Sequence, residues 1–130
     1  MAGATYGIGK IVQRPFDETL VRAREALGEQ GFGVLCEIDV RATMKEKLGV
    51  EGDDYVILGA CNPALAHRAL TAEREIGLLL PCNVIVYETG EGTRVSAIDS
   101  ELMLGLVGNP QLGDVATQVR AKLSSVIESI

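Results

Sequence analysis

Two β-prone runs, Cys82 to Glu88 and Thr93 to Ile98, are separated only by Thr89-Gly90-Glu91-Gly92. Parallel strands need a crossover of a dozen or more residues, whereas a short glycine-bearing connection closes a hairpin. An antiparallel pair is therefore written into the chain, and the other elements must be assembled around it.

Upstream, about Ala4 to Gln13 places Tyr6, Ile8 and Val12 in an extended pattern and reads as a strand stopped by Pro15. From Phe16 the apolar residues Phe16, Leu20, Ala23 and Leu27 recur at helical spacing, with Glu18, Arg22, Glu25 and Glu29 on another face and Gly31 as the stop. Gly33 to Ile38 reads as a short strand ending at Asp39, which is placed to cap a helix carrying Val40, Met44 and Leu48 and closed by Gly49. The continuous run Tyr55 to Ala60 reads as a strand buried on both faces, or nearly so. Pro63 to Ala72 reads as a third helix, and Asn109-Pro110 opens the last one, whose Leu112, Val115, Val119, Val126, Ile127 and Ile130 form an apolar stripe. The order β-α-β-(short α)-β-α-β-β-α predicts an α+β fold: a single five-stranded, largely antiparallel sheet with helices packed on one face. With 130 residues, 47% of them apolar, residues 1–130 are expected to share one core as a single domain.

Charge narrows the partners. The net charge is −6, and the twelve Lys and Arg residues are scattered among acids. Phosphate backbones need concentrated positive charge, and only five aromatic residues could stack on bases, so nucleic acid is disfavoured. No apolar stretch approaches the ~18 residues needed to cross a bilayer. Met1 to Lys10 contains no apolar run long enough for a signal peptide. Three cysteines without an export signal predict a reducing, cytoplasmic setting with Cys36, Cys61 and Cys82 as thiols.

Two turns could carry chemistry. In Gly59-Ala60-Cys61-Asn62-Pro63, Asn62 is placed as an N-cap and Pro63 as the first helical residue, so Cys61 falls just outside a helix N-terminus. The partial positive charge there favours a thiolate. His67, the one histidine, follows on the same helix and could face Cys61 or face away. The second turn, Leu78-Leu79-Leu80-Pro81-Cys82-Asn83, again sets a cysteine before an asparagine at a break in secondary structure. The candidate catalytic residues are Cys61, His67 and Cys82, and the candidate ligand-binding residues are Gly59, Cys61, Asn62, Cys82 and Asn83. The competing reading treats the cysteines as small hydrophobes, above all Cys36, expected as a core filler in mid-strand. No C-x-x-C pair exists, so a metal site would need the fold to converge Cys61, His67 and Cys82. Glu37 with Asp39, and Asp99 with Glu101, read as capping or solvated carboxylates.

Three stretches carry a resemblance: Gly31-Phe32-Gly33-Val34 with Ile38-Asp39-Val40, then Tyr55 to Pro63 with Ala66-His67, then Glu75 to Val84. Together they resemble domain-of-unknown-function family 302, over nearly the whole chain and weakening after about Ile98. The resemblance implies a TATA-binding-protein-like arrangement, an antiparallel sheet packed by helices. It implies no activity and no cofactor, since that scaffold hosts ligand-binding and DNA-binding domains alike.

Three functions follow. The first is a module binding a small ligand, metal or cofactor at the two Cys-Asn turns. The second is a thiol-based redox enzyme or sulfur carrier with Cys61 as the reactive thiolate. The third is a homodimeric interaction domain, paired through the sheet edge or the C-terminal helix.

Overall fold

The computed structural model describes residues 4–130. Residues 1–3, the start of the segment read as carrying no leader, lie outside the described residues. The chain runs β1 (Gly7–Val12), α1 (Phe16–Glu29), β2 (Gly33–Asp39), α2 (Val40–Leu48), β3 (Tyr55–Cys61) and α3 (Pro63–Ala72). A 3-10 segment, Arg74–Leu79, leads into β4 (Cys82–Thr89) and β5 (Gly92–Ile98). Then come α4 (Ser100–Gly105), a 3-10 turn at Pro110–Leu112 and α5 (Gly113–Ser129). No helix among the described residues is long and apolar enough to cross a membrane.

The five strands form one sheet in the order β1-β5-β4-β3-β2, and every neighbouring pair is antiparallel. The β4–β5 hairpin sits at its centre, closed by Thr89 opposite Gly92. Alternation along the strands sorts the side chains. Val56, Leu58 and Ala60 of β3, Val84 and Val86 of β4, and Val95 and Ala97 of β5 share a face, and all are buried. They form one core with Ala23, Ala26 and Leu27 of α1 and Val115, Val119, Leu123 and Val126 of α5. Burying such aliphatic side chains contributes ~1.5–3 kcal/mol each, and the repeating stripe of α5 is what lets it lie along the sheet.

No helix among the described residues buries the opposite face. This corrects the expectation that Tyr55 to Ala60 is buried on both sides. Tyr55 and Ile57 are half-buried, because a strand in an antiparallel sheet covered on one side needs an apolar residue only at alternate positions. Cys36 is also a correction. It is exposed on β2, the edge strand, and does not fill the core. One helix, α4, is not among those expected, and one boundary differs. Asp99, read as a capping or solvated carboxylate, caps α4 through Oδ1, accepting from Glu101 and Leu102, and Glu101 lies in its first turn. Asn109-Pro110 opens a 3-10 turn, and the α-helix proper begins at Gly113.

Candidate functional site

Asn62 decides the local architecture where β3 becomes α3. Its Oδ1 accepts from the Leu65 amide at 3.3 Å, and its backbone carbonyl accepts from Ala66 at 2.8 Å. Its Nδ2 donates to the Gln30 carbonyl at 3.4 Å, tying this turn to the end of α1. Pro63 has no amide hydrogen. The first turn of α3 therefore leaves only the Ala64 N–H without an acceptor among the described residues, a thinner positive end than an uncapped helix presents.

The register pairs Ala60 with Cys82 and Gly59 with Asn83, so the two Cys-Asn turns meet at one end of the sheet. By alternation Cys82 shares the helix-covered face with Ala60, while Cys61, one residue on, belongs to the other. Burial pushes the Cys82 thiol up to about 11, with a smaller contribution from the neighbouring Cys61. Cys82 is therefore a protonated thiol at neutral pH. All three cysteines are free of disulfides.

Beside these turns opens a cavity of about 510 Å³. Leu65, Ala66 and Ala69 of α3, Leu78 to Leu80, Met103 and Leu104 of α4, and Val115 and Val119 of α5 wall it. Cys61, Asn62, Cys82 and Asn83 border it together with Ala60 and Pro81. Its polar lining is largely spent: Asn62 caps α3, and the buried Ser100 hydroxyl donates to the Ala116 carbonyl at 3.1 Å. Asn83 alone among these keeps an amide with no hydrogen-bond partner among the described residues, and it is exposed. Leu78, 82% exposed, and Leu35, 70% exposed, stand at the mouth. Leu35 reaches it because a register shift between Val34 and Cys36 makes it the extra residue of β2.

Four of the six candidate residues thus border one cavity, and His67 and Gly59 do not. His67 is exposed on α3 and lies outside the lining, so the fold does not bring it to the cysteines. No group of three or more His, Cys, Asp and Glu among the described residues could hold a metal ion. Gly59 is buried and serves packing: a Cβ there would stand 2.5 Å from Cys36 Sγ and 2.9 Å from Pro81 Cγ. Cys36 lies over Gly59, outside the cavity. The sequence reading missed the contribution of α4. The signal was present in Asp99 as a cap followed by Ser-Glu-Leu-Met-Leu.

The family model described as "Domain of unknown function DUF302" matches residues 8–130. A crystal structure of an uncharacterised conserved DUF302 protein from Bacillus stearothermophilus is similar at a TM-score of 0.90 and 29% identity, covering 97% of this chain and 98% of that one. No curated protein matches.

Proposed function

We propose that this chain, which belongs to the DUF302 family, is a binding module for a small, predominantly apolar molecule held at its two Cys-Asn turns. The observation that carries this reading is the cavity of about 510 Å³, within the ~300–1,000 Å³ of small-molecule sites, with a mainly apolar wall. Each apolar group moved from water onto that wall gains about 25 cal/mol per Å². The Cys82 thiol, on the helix-covered face, suits such a ligand, since a protonated thiol behaves as a small hydrophobe. Asn83, at the border, is the group left to orient a polar end.

Melting in the presence of 1-octanol tests this. At about ten times its Kd, linkage adds ~1.4 kcal/mol to the folded state, a rise of about 5 °C for a chain of this size. Ala66→Phe, which fills the cavity from a half-buried position on α3, should abolish the rise. No rise in the unaltered protein, or an equal rise in A66F, would remove the cavity from the account.

A second reading has its own support. Leu35, Ile38, Met44, Leu48 and Val50 are all exposed along β2, α2 and the loop after it, and β2 is an unpaired edge. Edge strands with exposed apolar side chains are templates for pairing. We propose a two-fold homodimer through this edge, which light scattering would find at twice the 13.8 kDa chain mass and Ile38→Lys would reduce to the monomer.

A further inference from the structure

Arg94 lies in β5 at a helix-free-face position, yet it is only 7% exposed. Its guanidinium is always charged, and a buried charge is costly unless an anion meets it. The chain has eighteen acids for twelve bases, and Arg22, Arg24, Arg41, Arg68 and Arg120 each meet a carboxylate. The Arg94 side chain makes no hydrogen bond and no ion pair with any described residue, while its backbone belongs to the ladders with β1 and β4. Because no unpaired side-chain nitrogen among the described residues is sealed from solvent, its head keeps some contact with water although the residue is largely buried.

The surroundings of Arg94 are particular. Tyr87 stands directly across β4 from Arg94 and across β3 from Tyr55. The two rings stack with centroids 5.0 Å apart and planes 12° apart. Tyr55's phenol is raised above its usual range by burial first, then by Tyr87 and Tyr6, so both of the other tyrosines lie within electrostatic reach of Tyr55. Ser96, two residues beyond Arg94, faces Gly9 on β1, where a Cβ would stand 2.7 Å from Ser96 Oγ. The strand beside Ser96 thus carries no side chain at that point.

We propose that the helix-free face of the sheet is a second binding site, separate from the cavity, for a small planar monocarboxylate. Its carboxylate pairs with Arg94 and its flat body lies by the Tyr55–Tyr87 stack. Arg94 offers one guanidinium for one anionic group, and the net charge of −6 repels polyanions. Charge-assisted hydrogen bonds from a guanidinium are the strong kind, and aromatic faces favour offset stacking.

Benzoate and neutral benzyl alcohol are the probes, followed by tyrosine ring NMR and calorimetry. Benzoate should bind saturably, move the Tyr55 and Tyr87 rings, and bind at least about tenfold more tightly than benzyl alcohol. Arg94→Gln should erase that preference, and Arg94→Lys should keep part of it. Should R94Q fail to fold, R94K and Tyr87→Leu carry the test, each weakening benzoate binding in a protein with an unchanged melting transition. Equal binding of the two probes by the unaltered protein, or an undiminished preference in the variants, overturns the proposal. So does a dimer that R94Q splits while benzoate fails to bind, which would give Arg94 to a carboxylate of a second copy. The cavity reading stands or falls separately, because Arg94 does not line the cavity.

Discussion

Cys82 and Gly59 show how far a residue type in a sequence constrains its role. Cys82 was singled out for chemistry, yet burial holds its thiol at about 11. A raised thiol pKa means the folded state binds the proton more tightly than the unfolded state. The stability this contributes is complete below the ordinary thiol value, about 9, and is lost as pH rises toward 11. Melting temperatures of the protein and of Cys82→Ala, measured from pH 7 to 11, should therefore converge across that window by up to about 2 kcal/mol. Iodoacetamide at pH 8 should modify the exposed Cys36 well before Cys82, and equal rates would contradict the burial. Gly59 could be read from its sequence as a place for a ligand to approach. What approaches is Cys36 and Pro81 from the protein itself. Gly59→Ala should cost about 1–3 kcal/mol through overpacking, and Cys36→Ala in the same chain should recover part of it, as a double-mutant cycle in denaturant would measure. Neither fact was legible in the sequence, because both depend on which strand lies at the edge.

At the scale of elements, local chemistry was legible wherever one residue sets the boundary. Asn62 and Pro63 start α3 where capping rules place it, and Asp39 caps α2, accepting from Ala42 at 2.9 Å. Asn62→Ala should cost about 1 kcal/mol from the lost cap, with a further contribution from the severed link to Gln30. A chemical melt showing no loss would mean that the Leu65 amide finds water at no penalty. Short elements were harder. The six residues of α4 are too few for a periodic stripe, so only the cap at Asp99 announced them. The strand β3 misled for a related reason: Tyr55 and Ile57 are apolar on a helix-free face, which erases the alternation that would have marked it as one-sided.

For the whole molecule, the hairpin and the strand–helix order were enough to anticipate one antiparallel sheet covered on one side. Convergence of the two Cys-Asn turns was not deducible, because it depends on the register that sets Ala60 opposite Cys82. The cavity was hidden for the same reason, since its wall comes from α3, α4, α5 and the Leu78–Leu80 segment, brought together only by the completed fold. The most direct measurement is a methyl NMR titration with 1-octanol. The account predicts saturable shifts at Leu65, Leu79, Leu80, Val115 and Val119, with Leu58 and Val86 in the sheet's core unmoved. Shifts that fail to saturate, or that spread evenly over the exposed leucines of α2 and β2, would contradict it.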